Sequence, residues 1–223
     1  MNYNKKHKIL LISTEFPPGP GGIGNHAWNL ARNLNNKVNV DVLTISDYAD
    51  ENECKSFDDK EKVKIYRFTR YPLAAITYCH RLIQVIKYIK NNNYSHCLLS
   101  GFFALSIGPI IQLINKKMII VGIIHGSELI QHNPLLKYIL TVGLKCLKIV
   151  IAVSKYTNSL IPIKLGWNQK NYIIPNGVNK DLLDDITGKN EIIISGEPCL
   201  LTVGSITNRK GQINFIKALI PIV

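Results

Sequence analysis

The sequence predicts an α/β fold, a parallel sheet with helices packed on both faces. Three observations lead there. Short apolar runs alternate along the chain with stretches of helical periodicity, the pattern of repeated strand–helix–strand units. These runs are apolar almost throughout rather than at every second position, as in strands buried on both faces. The first run is joined to the first helix by a glycine-rich loop, Phe16-Pro17-Pro18-Gly19-Pro20-Gly21-Gly22-Ile23-Gly24-Asn25-His26. Glycines there let the backbone approach a ligand, and the helix start offers free N–H groups to an anion.

The elements follow in order. Lys8 to Thr14 reads as a buried strand. Ala27, Leu30, Ala31 and Leu34 recur as on one helix face. Val38 to Ile45 and Val63 to Phe68 read as the second and third strands, and the polar, acidic stretch between them, Ser46 to Lys60, as a surface loop. Pro72 to Lys90 reads as a helix with Leu82, Val85, Ile86 and Ile89 on its inner face and Arg81, Gln84 and Lys87 opposite. Cys97 to Ser100 is a fourth strand, Phe102 to Asn115 a helix, and Met118 to Ile124 a fifth strand, with Met118 as core filler. Leu135 to Leu147 is helical, Ile149 to Val153 is a sixth strand, Lys155 to Leu165 is a helix disturbed by Pro162, and Tyr172 to Ile174 is a last short strand. Leu182 to Pro198 turns polar and reads as a linker, followed by a strand at Cys199 to Gly204, a loop, and a helix from Gln212. A lone strand and helix cannot bury their own apolar faces. The expected organisation is therefore a domain over 1–181, a linker over 182–198, and the incomplete start of a second domain over 199–223.

The length of 223 residues suits one large domain, or one domain and part of another. The net charge of +12 is either a basic surface alone or a source of attraction to anionic lipid heads or phosphorylated substrates. Nucleic acid is not expected as a partner, because no zinc-finger spacing, RNA-binding aromatic signature or arginine-rich arm accompanies the charge. The five cysteines, Cys54, Cys79, Cys97, Cys146 and Cys199, are scattered and never spaced C-x-x-C. They read as reduced thiols of a cytoplasmic protein, not as a disulfide framework or metal site. The apolar run after Lys8 is too short for a signal peptide. The stretch from Phe102 to Ile114, broken by Pro109 and Gln112, is too short to span a bilayer. The protein is expected to be soluble or peripheral at the inner face of the membrane.

Five loops carry candidate chemistry, each just after a strand, where open α/β sheets bind ligands. The glycine loop, with Gly21, Gly22 and Gly24, fits neither the P-loop nor G-x-G-x-x-G. His125-Gly126-Ser127-Glu128 follows the fifth strand. His125 either donates to a hydroxyl or phosphate near neutral pH or caps a loop. Glu128 either bonds a hydroxyl or caps the next turn. Ser154 reads as a helix N-cap and as a candidate ligand contact. Asn176 and Gly177, in Ile174-Pro175-Asn176-Gly177-Val178-Asn179, mark a tight turn, and Asn176 also has the chemistry to face a ligand. Arg209 and Lys210, between Val203-Gly204-Ser205 and Gly211, are either solvated charges or a pair that neutralises a diphosphate. A dinucleotide-binding oxidoreductase would need an acidic residue closing the second strand, and Asp47 is the nearest.

In this order the set resembles the GT-B fold glycosyltransferases of family 4, which join two Rossmann-like domains across a cleft. The resembling segments are Phe16-Pro17-Pro18 through His26, Leu30 to Leu34, His125 to Glu128, Val153-Ser154, Pro175 to Val178, and Val203-Gly204 through Lys210-Gly211. The resemblance implies transfer of a sugar from a nucleotide diphosphate sugar to an acceptor hydroxyl of a glycan or lipid-linked glycan. It further implies retention of configuration and no metal cofactor. The first domain would hold the acceptor and the second the donor. Gly21 and Gly22 would lie against the donor diphosphate or the acceptor, His125 would contact the reacting sugar, and Lys210 would neutralise the leaving diphosphate. The sequence departs from the family in carrying Ser205 directly after Val-Gly, where Arg is usual and Arg209 is the substitute, and Asn179 where an acidic residue is usual. The family's Glu-x7-Glu segment and base pocket would fall beyond Val223. The chain is therefore expected to be the acceptor-side half, weakly active or inactive alone, with the missing half as a possible partner. A non-catalytic module docking on a partner or an anionic membrane through Lys137, Lys145 and Lys148 is the alternative.

Overall fold

A computed structural model describes residues 7–19, 21–45, 49–130, 132–162, 169–177, 199–204, 206 and 210–220. The chain divides into two compact units, Met1–Gly177 and Val178–Val223.

The first unit is a seven-stranded sheet, every pair of neighbours parallel, in the order β3-β2-β1-β4-β5-β6-β7. The strands are β1 Lys8–Ser13, β2 Asn39–Ile45, β3 Lys64–Phe68, β4 His96–Ser100, β5 Ile119–Ile124, β6 Ile149–Ala152 and β7 Lys170–Ile173. The helices are α1 Gly22–Asn35, α2 Glu51–Asp58, α3 Ala74–Asn91, α4 Phe102–Ser106, α5 Gly108–Ile114, α6 Pro134–Lys145 and α7 Lys155–Leu160. Their apolar stripes form two cores, one on each face of the sheet. One includes Ala27 and Ala31 of α1 with Leu11, Val42 and Ile123. The other includes Val85 and Ile89 of α3, Leu105 of α4 and Leu140 and Leu144 of α6 with Leu10, Leu43 and Ile120. The doubly buried strands explain the unbroken apolar runs of the sequence.

The structure corrects the sequence reading in four places. The expected surface loop over 46–60 contains α2, started by a capping box in which Asp50 accepts from the Glu53 N–H and Glu53 accepts from the Asp50 N–H. Its polar composition masked a helix that turns the buried Cys54 inward and sets Phe57 edge-on to Phe16. The single helix expected over 102–115 is two, α4 and α5, divided at Ile107 two residues before Pro109. On α3, Arg81 is buried with Thr77, Val85 and Ile89, and its guanidinium lies 5.8 Å from the Tyr78 ring centre. The strand expected over Cys199–Gly204 is not formed; among the described residues of the second unit the regular element is helix α8, Gln212–Leu219. A strand needs a neighbour for its backbone N–H and C=O groups, and none pairs with it among the described residues. The expected linker over 182–198 lies outside the described residues.

At the amino-terminal edge of the sheet, the buried Asp41 accepts from the Tyr94 hydroxyl at 2.6 Å and pairs with Lys8 at 2.7 Å. These bonds tie β1, β2 and the segment before β4 together at the end of the sheet opposite the carboxyl rim. Tyr94→Phe deletes one hydrogen bond to a buried carboxylate and should lower stability by about 1.5–3 kcal/mol. Urea unfolding measures the loss, and a change below about 0.5 kcal/mol would show that the network does not hold these strands.

Candidate functional site

The sheet order reverses between β1 and β4, and such switch points open a crevice at the carboxyl ends of the strands. Here Ser13 lies opposite Ser100 in register. Beyond them the Thr14 N–H donates to the Ser100 carbonyl at 3.1 Å. Gly101 then turns the chain at φ 85°, where a β-carbon would collide with Thr14 Oγ1. Two walls rise from this floor.

The first wall is the glycine loop and the start of α1. The Pro17–Pro18 bond is cis. Gly21 adopts φ 151° as the N-cap, and a β-carbon there would strike the Glu15 carboxylate. That carboxylate accepts from the Gly24 N–H, and burial nonetheless raises its pKa above the usual range. Gly24 is buried, with Phe16 N 3.0 Å from where its β-carbon would stand, so it lets the helix seat on the loop backbone. Gly22 is exposed and faces open space, with no atom within 4 Å of a β-carbon placed there. Arg67 of β3 holds the loop from behind. It makes a bidentate pair with Asp58 at 2.7 and 2.8 Å and donates to the Pro17 carbonyl at 2.6 Å.

The second wall is the loop after β5. The His125 ring bonds through Nε2 to Ser100 Oγ at 3.1 Å. It also meets the His26 ring edge to face, with centroids 5.0 Å apart and planes at 79°. This contact joins the loop after β5 to α1. Burial, helped by the neighbouring His26, drives the His125 pKa down to about 4, and burial also lowers that of His26. Glu128 is buried and turns back to accept the His125 backbone N–H at 2.7 Å. Desolvation raises its pKa against the opposing pull of that bond. Ser154 is the N-cap of α7, accepting from the Thr157 N–H at 2.9 Å. Its hydroxyl donates to Thr157 Oγ1, which in turn reaches the His125 carbonyl at 3.4 Å.

Of the residues singled out from the sequence, His125, Glu128 and Ser154 therefore share one hydrogen-bonded network. The His26–His125 contact brings that network to the helix that begins at Gly22. Asn176 and Gly177 are exposed just beyond β7. In the second unit, Lys210 is exposed with its aliphatic stem about 3.8 Å from where a β-carbon on Gly204 would stand. Arg209 lies outside the described residues. Sequence reasoning gave no role to Glu15, His26, Ser100 or Thr157. The available signal was position, since Glu15 and Ser100 sit at or just past the carboxyl ends of β1 and β4. Among the described residues no group of three or more His, Cys, Asp or Glu is placed to hold a metal ion. All five cysteines are free. No described helix is long and apolar enough to cross a membrane.

The same architecture occurs in solved structures. Anabaena HepE in complex with UDP and glucose superposes at a TM-score of 0.59 with 20% identity, covering 79% of this chain and 46% of its own. Sucrose-phosphate synthase from Thermosynechococcus elongatus gives 0.58 and 16%, covering 79% and 50%. UDP-GlcNAc 2-epimerase from Methanocaldococcus jannaschii gives 0.54 and 13%, covering 74% and 45%. The chain spans about half the length of these proteins. A search of curated proteins found no match. The class defined by the fold and its rim is the GT-B glycosyltransferase fold. The chain belongs to Glycosyltransferase Family 4, whose profile matches residues 20–182, well over half of the sequence.

A neutral buried histidine leaves a signature in stability. The unfolded ring titrates near 6.5 and the folded one near 4, so between these values the unfolded chain binds the extra proton. Stability is then complete above pH 6.5 and lost as pH falls toward 4, by about 2–3 kcal/mol from this ring. Chemical denaturation between pH 4 and 7 should show that slope in the wild type and a flatter one in His125→Asn. Equal slopes would mean that His125 is not held neutral.

Proposed function

We propose that this chain forms the acceptor-side part of a glycosyltransferase. The reaction moves a sugar from a nucleotide diphosphate sugar to a hydroxyl of a glycan or lipid-linked glycan, with retention. One observation carries the reading: the open, exposed space above Gly22 at the start of α1, on the rim where His125 is held neutral. A helix start favours phosphate oxygens, and a neutral imidazole bonded through Nε2 to Ser100 keeps Nδ1 for a sugar hydroxyl. Membership of the family supports the activity. The solved complex of HepE with UDP and glucose supports the donor class. The epimerase among the structural neighbours shows that the fold alone does not choose the reaction.

In this reading Gly21 and Gly22 let the donor diphosphate or the acceptor approach, and Gly24 sets the loop. His125 contacts the reacting sugar, with Glu128 and Ser154 holding its backbone. Asn176 and Gly177 border the cleft. The bond from the sugar's anomeric carbon to the diphosphate breaks as the bond to the acceptor oxygen forms, and the hydroxyl proton passes to an oxygen of the departing diphosphate. Lys210 and Arg209 neutralise the departing diphosphate, with no metal cofactor. Residues 1–181 make the acceptor domain, 182–198 the linker, and 199–223 the start of the donor domain. Leu201, Val203 and Ile206 are each more than four-fifths exposed, which favours completion of this unit by further polypeptide.

The chain alone should turn over nucleotide sugars little or not at all, and robust release of nucleoside diphosphate by it would overturn the proposed division. In the complete transferase, Gly22→Val should leave the unfolding free energy within about 0.5 kcal/mol. It should cut kcat/KM at least about tenfold, or about 1.4 kcal/mol, and undiminished transfer would remove Gly22 from the site.

A second reading, membrane docking, is favoured by the amino-terminal half of α6. Leu135 and Tyr138 are 63% and 67% exposed and lie beside the exposed Lys137, with Lys145 and Lys148 further along. Near an anionic surface each lysine contributes about 1 kcal/mol. Sedimentation with anionic liposomes should exceed that with neutral ones at low salt and fade at high salt. Equal binding to both lipids counts against docking.

A further inference from the structure

The proposed reaction uses the ring of His125 and leaves its neighbour His26 without a role. His26 lies on α1 four residues after Gly22, so the two share one face of the helix. Its half-buried ring meets that of His125 with centroids 5.0 Å apart and planes at 79°, the edge-to-face arrangement that aromatic rings prefer. The contact spans α1 and the loop after β5, so the seating of the helix and the orientation of His125 form one constraint.

His125 needs such a contact. Ser100 Oγ holds the ring at one atom, Nε2, at 3.1 Å. Glu128 and Thr157 bond the His125 backbone, at its N–H and its carbonyl, and so fix the loop rather than the ring. The outer torsion of a histidine is broad and weakly selective, and one hydrogen bond leaves the ring plane free to pivot. The edge-to-face contact removes that freedom, because rotation about the Ser100 bond would break the 79° geometry. The contact is one of shape. His26 Nδ1 is buried with no hydrogen-bond partner among the described residues, so a carbon in its place would break no bond there. The rings also share a charge constraint. A proton on His26 opposes one on His125, and Glu128, the titratable side chain bonded to this loop, is turned to the backbone.

We propose that His26 is a positioning residue, which acts through His125 by holding its ring at the angle that leaves Nδ1 open to a substrate hydroxyl. The hold on the ring is independent of the reaction; its effect on turnover rests on the glycosyltransferase reading. Loss of the His26 ring leaves His125 attached at Nε2 but turning about that bond. A phenyl ring in the same place keeps the edge-to-face wall.

The test is NMR of the His125 ring nitrogens in the full chain, as wild type, His26→Phe and His26→Ala. A fixed ring shows one dominant tautomer, and a pivoting ring averages toward a mixture. The wild type and His26→Phe should show the first, and His26→Ala the second, with circular dichroism unchanged. In the complete transferase His26→Ala should lower kcat about tenfold with KM within about twofold, and His26→Phe should stay within about threefold of wild type. A residue that only stabilises the fold would move neither the tautomer nor kcat below its unfolding temperature. His26→Leu, which fills the volume without a ring edge, replaces the alanine variant should that fail to fold. Unchanged His125 signals in the folded ringless variant overturn the proposal. So does an equal loss of kcat in His26→Phe and His26→Ala, which would make the imidazole itself a substrate contact. His125 signals that move as expected alongside absent nucleotide-sugar transfer by the complete protein would sink the glycosyltransferase reading and leave the positioning role standing.

Discussion

The structure depends on the pairing of β1 with β2 on one side and β4 on the other. Crossovers between parallel strands are right-handed. The chain that moves outward from β1 to β3 therefore lays α1 on one face. The chain that moves from β4 to β7 lays α4 and α6 on the other. The loops after β1 and β4 must part where the direction reverses. Everything at the candidate site stands on that parting: the Ser13–Ser100 floor, the glycine loop, and the loop of His125. Arg67 and Asp58 brace the glycine loop from the third strand, so even the edge of the sheet helps to set the position of α1.

The electrostatics of this rim are unusual for a chain of net charge +12. The ring of His125 and that of His26 are held toward neutrality by burial, and the Glu15 and Glu128 carboxylates are turned onto backbone N–H groups. The wall that results offers hydrogen bonds rather than free charge. Such a wall suits sugar hydroxyls.

Much of the fold was legible because parallel strands buried on both faces leave a local mark, an apolar run bounded by turn residues. All seven strands of the first unit lie within a residue or two of their expected positions. Helix α2 was missed because its amphipathic face is only two residues wide, although the Asp50–Glu53 capping box was present in the sequence. Arg81 departs from the helical-wheel expectation that charge faces solvent: it is buried, with its guanidinium against the ring of Tyr78 one turn earlier on the same helix. Ser154 was correctly read as an N-cap because capping is a local interaction.

The sequence by itself determined the order of the seven strands of the first unit along the chain, the loops at the carboxyl rim, and the chemical types of residue those loops carry. Each depends on neighbours within a few positions. Only the tertiary structure decided which of these residues meet. His26 faces His125 across 99 positions of chain (125 − 26), Thr157 reaches the His125 carbonyl across 32, and Gly22 is left open while Gly24 is packed shut. Those outcomes follow from strand register and helix seating, which bring distant residues together and leave no periodic mark in the chain.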